Sequence, residues 1–135
     1  MNNLYGQIPE ELGFLSDMRW FEIQDDYLYG TIPSVLGTKW TKLHTFLVGG
    51  NYLEGDFPDT FEGNEMLGTI FIDRNQFDGT FPNVFATLKK LDWLDMEGNK
   101  FRGEMDAGIA DLKLLSEFVC PQLLIDSMPQ GSTFV

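Results

Sequence analysis

The chain has 135 residues, 43% of them hydrophobic and 14% aromatic, enough apolar material for one folded domain and a poor match to intrinsic disorder. Nine Lys and Arg against 21 Asp and Glu leave a formal charge of −12, which disfavours nonspecific attraction to nucleic acid or to an anionic membrane and favours cations and basic partners. No apolar run approaches the roughly 18 to 20 residues needed to cross a bilayer, and Met1 is followed by Asn2-Asn3 and not by a basic start with an apolar signal stretch, so no targeting signal is read.

Along the chain one pattern recurs five times. Its copies begin Asn2-Asn3-Leu4-Tyr5-Gly6-Gln7-Ile8-Pro9, Asp26-Tyr27-Leu28-Tyr29-Gly30-Thr31-Ile32-Pro33, Asn51-Tyr52-Leu53-Glu54-Gly55-Asp56-Phe57-Pro58, Asn75-Gln76-Phe77-Asp78-Gly79-Thr80-Phe81-Pro82 and Asn99-Lys100-Phe101-Arg102-Gly103-Glu104-Met105-Asp106, with starts 24, 25, 24 and 24 residues apart. A fixed period of this size means stacked supersecondary units, each completed by its neighbours. Before each Asn or Asp slot the apolar residues fall at minus eleven, eight, five and three, as in Trp40, Leu43, Phe46 and Val48 before Asn51. The last two alternate with period two, which predicts a short strand buried on one face.

A turn is expected after each strand, where Asn51, Asn75 and Asn99 satisfy backbone groups that no ladder reaches. Gly6, Gly30, Gly55, Gly79 and Gly103 follow at a fixed offset that suits a backbone shape hostile to side chains. Pro9, Pro33, Pro58 and Pro82 then favour short extended or single-turn helical pieces over a long helix. Cys120, the only cysteine, forms no internal disulfide and is expected in the core. The chain has no Asn-x-Ser/Thr glycosylation sequon.

These residues resemble the plant-specific type of leucine-rich repeat, whose consensus joins Leu-x-x-Leu-x-Leu-x-x-Asn to x-Leu-x-Gly-x-Ile-Pro-x-x-Leu-Gly; the likeness covers roughly residues 2 to 120. The resemblance implies an α/β solenoid: a twisted arc with about five parallel strands on its concave face and an irregular or short-helical convex face. Known members include receptor-like kinase ectodomains, polygalacturonase inhibitors and algal proteins, so it implies recognition without catalysis, in a secreted, luminal or cell-surface setting. Residues 1–122 are assigned to the solenoid and 123–135 to a degenerate C-terminal cap or tail. The chain departs from the family in lacking cysteine-paired caps, in opening at mid-repeat, in placing Asn64 at a normally apolar site and in having Asp106 where Pro is usual. An unfinished first strand is an edge that proteins cover, so the chain is read as a piece of a longer protein or a subunit whose edge a partner covers.

Residues between the buried strand positions should stand on the concave face in columns, about 4.8 Å apart from repeat to repeat. One column reads Trp20, Thr45, Thr69, Trp93, Glu117; the next Glu22, Leu47, Phe71, Asp95, Val119; the third Gln24, Gly49, Asp73, Glu97, Pro121. Trp20, Leu47, Phe71 and Trp93 would form an apolar band beside Glu22, Asp73, Asp95 and Glu97, a composition suited to anchoring a protein or peptide of basic character. Asp73, Asp95 and Glu97 would also lie close enough to share a hard cation, but no loop supplies calcium-binding spacing and Arg74 is the simpler neutraliser, so no metal or cofactor is assigned. The alternatives are an assembly subunit docked through its N-terminal edge or acidic flank, and carbohydrate binding by the aromatic band. His44 is the only histidine, and with Cys120 in the core no nucleophile–base pair can be assembled, so no enzymatic role is expected.

Overall fold

The computed structural model describes residues 2–121 and 124. In chain order its strands are β1 (Tyr5–Gly6), β2 (Trp20–Glu22), β3 (Tyr27–Gly30), β4 (Thr45–Leu47), β5 (Tyr52–Gly55), β6 (Thr69–Phe71), β7 (Gln76–Phe77), β8 (Trp93–Asp95) and β9 (Glu117–Val119). The α-helix α1 (Ser34–Lys39) and 3₁₀ turns at Glu10–Phe14, Asp59–Phe61, Asn83–Thr87 and Ala107–Asp111 form the opposite side. Leucine-rich repeat geometry follows: β2, β4, β6, β8 and β9 form one five-stranded parallel sheet in that order. Its register sets Trp20 beside Thr45, Thr69, Trp93 and Glu117, and Glu22 beside Leu47, Phe71, Asp95 and Val119. The strands alternate because Phe21, Phe46, Ile70 and Leu94 point into the core, leaving the residues on either side outward.

A polar spine joins the repeats. Each Asn Oδ1 accepts a backbone N–H from the preceding repeat: Leu28 to Asn51 (3.1 Å), Leu53 to Asn75 (2.9 Å) and Phe77 to Asn99 (3.0 Å). Each Nδ2 donates both to its own turn and one repeat back, as Asn75 does to Ile72 O (3.2 Å) and Val48 O (2.9 Å). A carboxamide is needed because the slot demands an acceptor and a donor from one short side chain.

Asp26 fills the same slot one repeat before Asn51 and supplies only half of that. Its Oδ1 accepts from Asn2 N and Leu4 N (2.8 and 3.2 Å), while Oδ2 is buried without a hydrogen-bond partner. The Asp26→Asn variant restores a donor at that atom and is expected to raise stability by about 1 kcal/mol. A melting midpoint a few degrees above wild type is the expected readout; an unchanged or lower midpoint would rule out this account of the slot.

On the convex side Pro9, Pro33, Pro58 and Pro82 each sit in extended conformation just before a helical turn. Asp106 takes the fifth such position and caps its turn instead, accepting from Gly108 N at 2.7 Å. Asn64 also caps: its Oδ1 accepts from Met66 N and Leu67 N, and its Nδ2 donates to Trp40 O. The departures at 64 and 106 are therefore working hydrogen-bonding residues. Between the layers lies an aromatic core in which Phe46 meets Phe21, Phe57 and Phe61 at 5.6 to 6.0 Å between ring centroids. Gly37 packs α1 against the next repeat so tightly that a Cβ would fall 2.6 Å from the Thr60 backbone carbon.

Two details differ from the sequence pattern. Leu15 occupies an apolar slot but is 55% exposed, because among the described residues the first repeat has a neighbour on one side only. Where turns were expected after the Asn slots, β1, β3, β5 and β7 form a second, four-stranded parallel sheet on the flank, extended by a Thr80–Arg102 bridge. Buried Leu28 between exposed Tyr27 and Tyr29 is the period-two signal for it. Gly30, Gly55, Gly79 and Gly103 leave this flank with φ between +79° and +85°, the shape that their recurrence implies. The region 123–135 assigned to a cap lies outside the described residues except for Leu124, which is buried.

Candidate functional site on the concave sheet

The five-stranded sheet presents an outward face of mixed chemistry. Trp20 and Trp93 are 63% and 44% exposed, whereas Leu47 and Phe71 are half-buried neighbours in register on β4 and β6. Phe71 meets Trp93 edge-on, with centroids 4.9 Å apart and planes at 70°, an arrangement that suits the ring quadrupoles. Trp20 stacks instead on His44, at 6.1 Å and 21°. The face thus carries a joined Leu47–Phe71–Trp93 patch and a separate Trp20–His44 pair.

The carboxylates divide in the same way. Glu22 and Glu97 are exposed and Asp95 is half-buried, but Asp73 is only 9% exposed and lies over Gly49, whose missing Cβ leaves room for its carboxylate. Asp73 Oδ2 accepts from Arg74 Nε at 2.8 Å, as its neighbour's charge suggests. Arg74 also reaches back two repeats, donating from Nη1 to Asp25 Oδ1 at 2.9 Å across Gly50. Sequence reasoning missed this strap, although its signal is present: the slot before the Asn reads Asp25, Gly50, Arg74, Gly98, opposite charges on either side of a glycine. The slot is left-handed at all four positions, with φ of +56° at Asp25 and +48° at Arg74, so the two side chains occupy a backbone shape that the glycines adopt freely. Hydrogen bonds to Asp73 and Asp25 raise the Arg74 pKa, fixing its charge.

Partial burial pushes the Asp95 carboxyl up from the ordinary aspartate value, opposed by donation from Glu97 N–H (3.1 Å) and reinforced by the negative charges of Asp73 and Glu97. On acidification Asp95 therefore takes up its proton earlier than a solvated aspartate would. Among the described residues no three His, Cys, Asp or Glu side chains gather as a metal ion would require. Cys120 is 8% exposed in the core, where burial, with Glu97 adding, pushes its thiol up to about 11. At neutral pH it stays protonated and is a weak nucleophile. No helix among the described residues is long and apolar enough to cross a membrane.

The leucine rich repeat family profile matches residues 41–101. No curated protein matches the chain. Among solved structures it is similar to a plant peptide hormone receptor, RGFR1, in complex with RGF2 (28% identity, TM-score 0.81, 85% of this chain and 18% of that one). It is also similar to the Arabidopsis receptor kinase HAESA in complex with the peptide hormone IDA and the co-receptor SERK1 (27%, 0.83, 88% and 20%). A third similar structure is PEPR1–AtPEP1 (25%, 0.83, 88% and 16%). The chain spans a fifth or less of these three chains, and the likeness in fold extends over 85–88% of this one. The profile match over 41–101 and the likeness to receptor kinase ectodomains together support a leucine-rich repeat protein of the plant type.

Proposed function

We propose that this chain is a noncatalytic recognition module that binds a protein or peptide of basic character on its concave sheet. The observation that carries the reading is the Phe71–Trp93 pair, two large rings in contact on a solvent-facing sheet, with Leu47 in register beside them. Such a surface gains by being covered, and Trp is the residue type most enriched among interface anchors. Glu22, Asp95 and Glu97 select for positive charge, Trp20 forms an outlying anchor, and Asp73 acts through Arg74, which it holds in place. Similar structures include receptors solved with peptide hormones, which supports a peptide as the partner.

The test is a library of random peptides displayed on phage and selected on the folded chain. Selected sequences should be rich in Lys and Arg, and titration against Trp93→Ala should show affinity lower by about 10- to 30-fold with an unchanged unfolding midpoint. Recovery of no saturable binder, or binders indifferent to Trp93, would overturn the assignment.

A further inference from the structure

The second sheet carries a feature that the concave site does not use. All four tyrosines of the chain, Tyr5, Tyr27, Tyr29 and Tyr52, stand on its outward face and are 79%, 46%, 40% and 51% exposed. They form two pairs. Tyr5 and Tyr29 lie 5.5 Å apart between centroids at 57°, and Tyr27 and Tyr52 lie 6.5 Å apart with planes within 18° of parallel. The strand alternation explains the grouping: Leu28 and Leu53 face the core, so the residues on either side of each must face outward. Glu54 stands on this same face, two residues beyond Tyr52, and Asp56 and Asp78 continue it as exposed carboxylates.

We propose that this flank is a second docking surface, separate from the concave site, for an extended peptide segment bearing arginine. A guanidinium is the group that fits both halves of the patch, because it stacks flat on an aromatic face and pairs with a carboxylate. The acidic border and the net charge of −12 oppose a second copy of this chain, and they equally oppose nucleic acid or an anionic membrane. Paired tyrosines spread over three successive strands, at about 4.8 Å between neighbours, match the reach of roughly three extended residues. Tyr also offers large contact area at a small cost in conformational entropy.

The experiment uses the whole 135-residue chain with ¹³C-labelled tyrosine rings, titrated with the capped hexapeptide Arg-Ala-Arg-Ala-Arg-Ala and with its lysine and citrulline counterparts. Saturable shifts of the tyrosine ring signals are expected, with arginine binding several-fold tighter than lysine and citrulline not binding. Tyr29→Ala should weaken binding about tenfold, Glu54→Gln should weaken it several-fold, and Trp93→Ala should leave it unchanged, so this site and the concave one fail independently. Because Tyr29 is exposed, both flank variants should keep the wild-type unfolding midpoint; Tyr27→Leu provides a further arm should Tyr29→Ala not fold. Equal binding of lysine and arginine, or binding lost in Trp93→Ala, would overturn the proposal. Ring shifts produced by a neutral oligosaccharide such as chitohexaose, or by raising the protein concentration alone, would overturn it in favour of a glycan or of self-association.

Discussion

Replacing Phe46 with alanine is expected to lower stability by about 3–5 kcal/mol, the range for removing a buried aromatic ring. The side chain is fully buried and joins three repeats, touching Phe21 in the repeat before and Phe57 and Phe61 in the repeat after. In a solenoid whose stability is a sum of repeat and neighbour terms, a residue at such a junction damages several terms together. Urea titration followed by tryptophan fluorescence measures the loss, as a lower midpoint at nearly unchanged slope. A loss below about 1 kcal/mol would mean that the aromatic layer collapses to refill the space, contrary to the tight packing at Gly37 and Thr60.

Asn75→Ala is expected to cost about 3 kcal/mol or more, although it removes few atoms. The amide of Asn75 accepts from Leu53 N and donates to Val48 O, Ile72 O and Asp73 O, and its side chain is 7% exposed. Alanine leaves a buried N–H and several buried carbonyls without partners and admits no water easily. Faster hydrogen exchange at the Leu53 amide, beyond that of the protein as a whole, is the local signature. Asn99→Ala should cost less, since Asn99 is only half-buried and equivalent bonds can be made to solvent. Equal losses at the two positions would argue that the spine acts through something other than unsatisfied polar groups.

The concave columns were legible residue by residue, because a period-two strand repeated every 24 residues fixes both the outward face and the register once the buried position is known. Phe71 and Trp93 could thus be placed on one face from sequence, and they meet there. Their separation from Trp20 could not, because rotamer choice decides that Trp20 stacks on His44, and rotamers leave no periodic trace. Asp73 read as an outward carboxylate by parity alone; the space above Gly49 lets it fold down and out of water. The flank sheet was hidden for a simpler reason: two-residue strands such as β1 and β7 are too short for alternation to register against the turn signals around them. Asn64 and Asp106 looked like lapses in the repeat because consensus records the usual apolar or Pro residue, whereas the structure requires only that the turn be capped.

The helix α1 sits in the one repeat that has 25 residues, between Asp26 and Asn51, whereas the other turns on that side are 3₁₀. An α-helix advances about 1.5 Å per residue and a 3₁₀ helix about 2.0 Å, so the six residues of α1 cover ~9 Å and a five-residue 3₁₀ turn ~10 Å. The extra residue is coiled up without lengthening the outer rim. Contour length on that rim is thereby uncoupled from residue count, and the arc can absorb single insertions there by exchanging one kind of helical winding for another while the inner strands keep step.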